Sequence, residues 1–399
     1  MSRQIPIRCV IMRGGTSKGL FLRANDLPSD PQKRDRVILA LFGSPDPRQI
    51  DGLGGADILT SKVIIVGPPT RPDADLDYTF GQVSITEPFI DYDINCGNLS
   101  AAVGVYAIEE GWVRATEPVT RVRMHNTNTR KVLIAEVPVV DGVPQVEGEL
   151  AIDGVPGTGA EIVLDYAQSV GASTGRLLPT GQPSEKIHVP ALDRAVPVSV
   201  VDVANLCVFF PAEAVGLKGT EGPQDLTSDH VEAIVAIKAE VARLLDLPAD
   251  GLVPLPILVA PPHDYRTFLG REVHAGEIHL LARLIGGRPP VMHKTFAATA
   301  AVCTAVAAAI PGTVVSERSR PPYGEEFLLG HPSGVFPLRV RVAEREGEWV
   351  VERAAYSRTA RRLMEGYAFL RPSVLEESNP PRHGGSSSCS GGTRFLSVP

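Results

Sequence analysis

The stretch that most constrains the fold of this 399-residue chain is residues 97–108, which are almost all small and apolar. Asn95 and Cys96 come directly before it. A helix that is apolar on all sides must be surrounded by protein. A cysteine at its N-terminus lies at the positive end of the helix dipole, and the free N–H groups of the first turn can hold a carboxylate. The stretch therefore predicts a reactive thiol and an anion site at the tip of a buried helix.

A second segment of the same kind, residues 296–310, is dominated by alanine and follows His293, Lys294 and Thr295. Each half of the chain thus carries one small-residue helix, which is a weak internal repeat. Two such helix tips facing each other would form a cleft with two positive ends, suited to a di- or tricarboxylate. Cys303 lies inside the second helix and is predicted to be a core residue.

Composition and charge exclude several classes of protein. The net charge of −7 gives no electrostatic support for a nucleic-acid partner. The longest apolar run, residues 300–310, is too short to span a membrane. The five cysteines are scattered without a CxxC pair, and the histidines lack metal-ligand spacing, so neither a disulfide framework nor a metal site is expected. With no signal-peptide pattern, a reduced, cytoplasmic setting is expected.

Two polar stretches could serve the helix tip at Cys96. The turn at residues 13–19 combines glycines with the donors Arg13, Thr16, Ser17 and Lys18, which predicts an anion-binding turn. The alternative is an ordinary hairpin turn with solvated charges, and the order of residues is not that of a phosphate-binding P-loop. Lys62 precedes the β-branched run 63–66, which predicts a buried strand. Its stem could carry the amine to the surface, or burial could lower its pKa so that it acts as a base.

The remaining patterns give a coarse outline of the chain. Residues 30–42 and 227–245 predict helices with one buried face. Residues 356–364 predict a basic last helix from which Arg358 or Arg361 could reach a carboxylate, although a solvated face is the default. Residues 378–399 have no core-forming pattern and are predicted to be disordered.

Six motifs occur in the order found in one family, and together they span about residues 5–371. On these motifs the chain resembles the methylaconitate isomerase family, whose relatives include 4-oxalomesaconate tautomerase and methylitaconate isomerase. The motifs are Met12-Arg13-Gly14-Gly15-Thr16-Ser17-Lys18-Gly19, Leu59-Thr60-Ser61-Lys62-Val63, Asn95-Cys96-Gly97-Asn98, Pro156-Gly157-Thr158-Gly159, Leu178-Pro179-Thr180-Gly181 and His331-Pro332-Ser333-Gly334.

The resemblance implies an α+β, diaminopimelate-epimerase-like fold. Its two pseudo-symmetric domains are each a curled, mostly antiparallel sheet around a central buried helix, with the site between them. On this chain the domains would be residues 1–181 and 182–377, followed by the tail 378–399. Homo-oligomer formation is left open by the sequence.

The resemblance also implies a cofactor-free acid–base pair, which falls on Lys62 and Cys96. Diaminopimelate epimerases use two cysteines, but the second helix tip of this chain carries His293, Lys294 and Thr295 instead. A two-thiol racemase mechanism is therefore not supported. Residues expected around a small unsaturated polycarboxylate are Arg13, Gly15, Thr16, Ser17, Lys18, Ser61, Gly97, Asn98, Leu99, His293, Lys294 and Ser333.

The expected reaction is an allylic 1,3-proton shift or a cis–trans isomerisation in a substrate such as 2-methylaconitate, aconitate or 4-oxalomesaconate. Lys62 would take a proton and the Cys96 thiol would return one at the far end of the allyl system. Because the helix dipole favours the thiolate, the roles could be reversed. Two alternatives remain: an epimerase or racemase of a small carboxylate, with Asp51 or Asp57 binding an amine, and a non-catalytic carboxylate-binding protein.

Overall fold

The computed structural model describes residues 4–92, 95–152, 154–287, 289–321 and 326–376. The strands of the first half are β1 Ile5–Gly14, β2 Ser17–Arg23, β3 Lys62–Gly67, β4 Leu76–Val83, β5 Ile90–Asp91, β6 Val119–Asn126, β7 Lys131–Val140, β8 Val143–Pro144, β9 Leu150–Ala151, β10 Thr158–Gly159 and β11 Ile162–Asp165. The strands of the second half are β12 Glu185–Val189, β13 Arg194–Val203, β14 Asn205–Pro211, β15 Leu255–Ala260, β16 Tyr265–Arg266, β17 Glu272–Val273, β18 Leu280–Gly286, β19 Val291–Met292, β20 Phe327–His331, β21 Gly334–Arg345, β22 Glu348–Arg358 and β23 Ala360–Leu370. The helices are α1 Pro31–Phe42, α2 Gly97–Glu109, α3 Ser228–Leu244, α4 Ala298–Ala309 and α5 Ser373–Glu376.

The two halves repeat one pattern of strand pairing. In the first half, β1–β2 is antiparallel, β2–β3 parallel, β3–β4 antiparallel, β4–β6 parallel and β6–β7 antiparallel. In the second half, β13–β14, β14–β15, β15–β18, β18–β20 and β20–β21 follow the same order of orientations. Parallel neighbours need a crossover connection, and a helix supplies each one: α1 and α2 in the first half, α3 and α4 in the second. The predicted internal repeat is therefore present.

The central helix of each half is buried, as its composition predicts. In α2, all residues from Gly97 to Ile108 are buried except the partly exposed Asn98. Small residues let the sheet approach closely, since a Cβ atom at Gly104 would lie 2.6 Å from the Cβ of Ala135. In the second half, α4 begins at Ala298, two residues later than the sequence indicates. Helices α1 and α3 agree with the two predicted amphipathic helices.

The prediction of a last helix over residues 356–364 is wrong: apart from Thr359, which lies between the strands, these residues belong to β22 and β23. Strand β22 pairs with β11, and β23 pairs with β1, so the end of the chain hydrogen-bonds with strands of the first half. Residues 360–365 are rich in good helix formers, but this long-range pairing outweighs their intrinsic preference. The division at residue 181 stays a prediction, and the tail 378–399 lies outside the described residues. No helix in the described ranges is both long and apolar enough to cross a bilayer.

The C-terminal end of α2 is anchored by a buried carboxylate with three arginine partners. The side chain of Glu110 is 4% exposed, and its Oε2 accepts from Arg8 Nη1 at 2.7 Å. Its Oε1 accepts from Arg362 Nη2 at 2.8 Å, and Arg23 also pairs with it. Burial by itself would raise the pKa of Glu110, but the hydrogen bonds from the three arginines outweigh it and lower the pKa to about 2. The cluster ties strands β1, β2 and β23 to the helix that carries Cys96 at its other end.

We expect Glu110→Gln to lower the free energy of unfolding at pH 7 by about 3 kcal/mol, because the three partly exposed arginines lose their buried counter-charge. Folding lowers the pKa of Glu110. Its contribution to the stability of the fold is therefore complete above about pH 4.5 and is lost as the pH falls through about 2. Urea unfolding of both proteins across this range should show the difference shrinking with falling pH. Glu109→Gln, which removes only the pair with Arg362, is the control and should cost under about 1 kcal/mol. An equal loss in both variants would contradict the assignment.

Candidate active site

Cys96 lies at the N-terminal tip of α2 as its N-cap residue, with an extended backbone (φ −115°, ψ 97°). The carbonyl oxygen of Cys96 accepts from the N–H and hydroxyl of Ser100 at 3.0 and 3.1 Å, and its own N–H donates to Asn95 Oδ1 at 2.8 Å. The Cys96 Sγ lies 3.7 Å from Ser17 Oγ. Cys96 is partly exposed, whereas the other cysteines of the described ranges, Cys9, Cys207 and Cys303, are buried, as predicted for Cys303. The backbone around the thiol is thus fixed while the thiol itself faces the β1–β2 turn.

The turn between β1 and β2 lies directly against this helix tip. Asn98 Nδ2 donates to Thr16 Oγ1 at 3.0 Å and lies 3.5 Å from Ser17 Oγ. Gly15 has a φ of +50°, and a Cβ atom there would lie 2.2 Å from Asn98 Oδ1. Glycine is therefore required at this position by both backbone conformation and space. The structure brings the predicted anion-binding turn and the α2 tip together.

Lys62, the first residue of β3, is buried, with 7% of its surface exposed. Its Nζ donates to Gln82 Oε1 at 2.7 Å and lies 5.2 Å from the centre of the Phe80 ring. The stem therefore does not carry the amine out to the surface. In the described part of the chain, no carboxylate forms an ion pair with this amine.

Strand alternation places Lys62 on the same side of the sheet as Cys96. Ile64, two residues beyond Lys62, packs in the core around α2, whereas Val63 packs in the core around α1. Lys62 is in register with Gly19 of β2, and Gly19 lies on the same face of β2 as Ser17. Since Ser17 contacts the Cys96 thiol, the lysine and the cysteine both adjoin the segment Ser17–Gly19 of β2 on the same face of the sheet.

Arg358, the last residue of β22, joins the two halves at this site. Its Nε donates to Asn98 Oδ1 at 2.9 Å and its Nη1 to the Ser357 carbonyl at 2.8 Å. Its guanidinium carbon lies 4.5 Å from the centre of the Phe336 ring and 4.7 Å from that of Tyr356. Burial lowers the pKa of Arg358 from its usual value of 12.5, and the nearby phenols and the Cys96 thiol oppose that shift. The group remains a cation at neutral pH and faces the α2 tip.

Two buried tyrosines pack against the first residue of α2. The hydroxyl oxygens of Tyr166 and Tyr356 are 3.1 Å apart. A Cβ atom at Gly97 would lie 2.0 Å from the Tyr356 hydroxyl, so only glycine fits there. Burial raises the pKa of Tyr356 to about 12, with a smaller upward contribution from Cys96, so this phenol is neutral. Gly97 thus has a packing role at the helix tip.

The second half contributes two imidazoles, and one of them, the neutral His331, lies near Arg358. Burial, with Arg283, His293 and Arg358 adding to it, lowers the pKa of His331 to about 3. Its Nδ1 accepts from Ser333 N at 3.2 Å, which leaves Nε2 as the protonated nitrogen. His293 is exposed, and its Nδ1 accepts from Thr295 N at 3.2 Å. The neutral His331 can donate a hydrogen bond to an oxygen without adding charge.

The predicted second tip has no thiol. The N-cap residue of α4 is Ala297, where α2 has Cys96. Lys294 contributes its carbonyl oxygen to a hydrogen bond from the Ser333 hydroxyl. The residue 331–334 turn is thereby held against the segment that leads into α4.

Four predicted binding residues have other partners or positions in the structure. Arg13 donates to the Thr359 carbonyl at 2.9 Å and to Gly15 O at 3.1 Å, bracing the turn. Lys18 alternates with Ser17 and lies on the opposite face of β2. The Ser61 hydroxyl donates to Gln49 Oε1 at 2.8 Å. Leu99 is a fully buried core residue.

Sequence reasoning missed Tyr166, Tyr356, Gln82 and the role of His331, and it placed Arg358 on a helix. The signal for Arg358 was the alternation of Ala354, Tyr356 and Arg358, which is typical of a strand. No three His, Cys, Asp or Glu side chains within the described ranges are grouped as metal ligands.

A model of the PrpF protein family matches residues 4–371. The chain belongs to this family. The 3-methylitaconate isomerase of Eubacterium barkeri is 47% identical to it over 387 residues, covering 94% of this chain and 100% of the relative. The (4E)-oxalomesaconate Delta-isomerase of Novosphingobium sp. (strain KA1) is 39% identical over 375 residues, covering 91% of this chain and 97% of the relative. The predicted family is thus confirmed, and this PrpF family member is an isomerase.

Solved structures confirm the fold. The crystal structure of a methylitaconate-delta-isomerase superposes with a TM-score of 0.87 at 46% identity, covering 96% of this chain and 100% of that chain. A hydroxyproline epimerase from Agrobacterium vitis superposes with a TM-score of 0.50 at 13% identity, covering 93% and 94%. The latter likeness is one of fold alone, and it agrees with the predicted epimerase-like architecture.

Proposed function

We propose that this chain moves a double bond in a small unsaturated polycarboxylate by proton transfer between the substrate, Lys62 and Cys96. The observation that supports the proposal is that Lys62 and Cys96 both adjoin the segment Ser17–Gly19 on one face of the sheet. Both groups can give and take protons, and a cation, Arg358, lies next to the helix tip that carries Cys96.

One substrate carboxylate would bind at the tip of α2. The first-turn N–H groups of this helix have no intrahelical acceptors, and the helix dipole favours negative charge there. The Nε and Nη1 of Arg358 donate hydrogen bonds within the protein, whereas its Nη2 has no hydrogen-bond partner among the described residues. The imidazole N–H groups of His331 and His293 would bind further oxygen atoms. These donors stabilise charge that moves into the carboxylate during the reaction.

The proton steps balance without any added oxidant or reductant. The Lys62 amine takes a proton from the carbon next to the double bond, and the electron pair of that C–H bond spreads into a dienolate. The Cys96 thiol then returns a proton to the far carbon of the allyl system, which leaves a thiolate and an ammonium that exchange their proton with solvent. In the reverse assignment the thiolate takes the proton and the ammonium returns one. Rotation within the dienolate before reprotonation gives cis–trans isomerisation.

The relatives support the chemical class of the substrate. Their names refer to methylitaconate and oxalomesaconate, both of which carry carboxylates conjugated to a movable double bond. We infer the same class for this chain, with 3-methylitaconate, 2-methylaconitate, aconitate and 4-oxalomesaconate as the compounds to test.

The test is turnover of these four compounds in deuterated water, monitored by ultraviolet absorbance and proton NMR. We expect double-bond migration in at least one compound, with deuterium entering the allylic position. Deuterium entering a stereocentre without migration would instead establish an epimerase. Binding with neither exchange nor migration would establish a carboxylate-binding protein, and either of these outcomes would contradict the proposal.

A further inference from the structure

The partner of Lys62 in the sheet is a glutamine whose amide is fixed in one orientation. Gln82 of β4 is in register with Lys62 of β3. Its Nε2 donates to the Ser61 carbonyl at 2.8 Å and to the Ile58 carbonyl at 3.1 Å. Because both amide hydrogens are used in this way, Oε1 must face the amine, from which it accepts at 2.7 Å.

We propose that Gln82 is a positioning residue, which aims the Lys62 amine at the substrate with a neutral acceptor in place of a carboxylate. This inference rests on the proposed function of Lys62 in proton transfer. No motif in the sequence singles out Gln82, since only the β3–β4 register brings it to the amine.

The geometry limits how the amine can turn. A neutral amine has two N–H groups and one lone pair, and an ammonium has three N–H groups. One N–H of Lys62 donates to Gln82 Oε1. The ring of Phe80, which is on the same strand as Gln82, lies 5.2 Å from Nζ. With one N–H fixed, the remaining positions on nitrogen point in a narrow set of directions. Proton transfer depends steeply on such alignment, and a misplacement of about 1 Å can cost about 100-fold in rate.

The neutrality of the acceptor is as important as its position. The side chains that face Lys62 from β4 are Gln82 and Phe80, and its neighbour on β2 is Gly19, so none of them is charged. The titratable groups beyond these side chains are Asp91 of β5, which is in register with Gln82, and Cys96, with Arg358 next to Cys96. A carboxylate in place of Gln82 would bind the ammonium form and hold the proton on nitrogen. An amide accepts the same hydrogen bond while leaving the proton free to transfer.

Two substitutions at Gln82 separate the effect of the hydrogen-bond acceptor from the effect of its charge. Gln82→Met keeps the approximate size but removes the acceptor, and kcat should fall about 10- to 100-fold while KM stays within about twofold. Gln82→Glu keeps an oxygen against Nζ but adds a charge, and the limb of the kcat–pH profile that depends on Lys62 should move up by about one to two pH units. Gln168→Glu adds the same charge at an exposed position and is the control. It should change neither kcat nor the limb of the kcat–pH profile that depends on Lys62.

A second readout does not depend on turnover. Acetic anhydride acylates neutral amines, so the pH dependence of Lys62 acylation, followed by mass spectrometry of the peptide, reports when the amine loses its proton. Gln82→Glu should move this dependence upward by the same amount as the kcat profile. Circular dichroism melts would show that the variants are folded during the measurement.

The outcomes distinguish this inference from the proposed function. Wild-type kcat and acylation in both Gln82 variants, or a rise in KM with kcat unchanged, would overturn the positioning role. Lys62→Ala in the same assay tests the function itself. If that variant kept full turnover the proposed function would fail, while an acylation shift in Gln82→Glu would still establish that Gln82 controls the amine.

Discussion

Lys62→Ala and Cys96→Ala should each lower kcat by about 100- to 10,000-fold, the usual contribution of a general acid or base. Each variant removes one proton carrier while leaving the α2 tip, Asn98 and Arg358 in place to bind substrate. KM should therefore change much less than kcat. Steady-state kinetics with the best compound of the panel would measure both constants.

Isotope exchange distinguishes the two variants from each other. If Lys62 starts the reaction, Cys96→Ala retains exchange of the substrate proton with deuterated water although it forms no product, whereas Lys62→Ala loses both. The reverse pattern would show that the thiolate starts it. Cys303→Ala, at a buried thiol that donates to the Val201 carbonyl, and Lys33→Ala, on the exposed face of α1, are matched controls expected to keep kcat. Wild-type kcat in either active-site variant would contradict the Lys62–Cys96 mechanism.

The sequence predicts those parts of the site that are formed by one continuous segment of the chain. The apolar stretch after Cys96 dictates a buried helix, and the position of the thiol at its tip follows from chain order alone. Gly15 and Thr16 likewise form a turn, and the positive φ at Gly15 is a conformation that glycine adopts without strain. Such features need no knowledge of what lies across the sheet.

The parts that sequence alone does not reveal depend on strand register. Gln82 reaches Lys62 only because β3 and β4 pair with one particular alignment, and Tyr166 meets Tyr356 only because β22 pairs with β11. Arg358 shows the difficulty most clearly. Good helix formers follow it in the chain, yet the segment is extended because β23 pairs with β1, more than 340 positions away in sequence.

Arg358→Ala should raise KM by about 10- to 100-fold, which corresponds to the loss of one charge-assisted hydrogen bond of about 1.5–3 kcal/mol. The guanidinium lies against the rings of Phe336 and Tyr356 and is bound to Asn98, so its position is set before substrate arrives. Arg358→Lys keeps a charge but loses the planar fork and the stacking, and its KM should fall between those of the wild type and the alanine variant. Arg361→Ala, on the neighbouring strand with an exposed side chain, is the control and should leave KM unchanged.

A substrate analogue with one carboxylate replaced by a carboxamide makes this prediction specific to the contact. The wild type should lose affinity for the analogue by a factor similar to that caused by Arg358→Ala, because the same ion pair is removed from the other side. The variant should bind the acid and the amide almost equally, since two changes that remove one interaction are not additive. Equal losses in the wild type and the variant would show that Arg358 does not bind that carboxylate and acts only through Asn98.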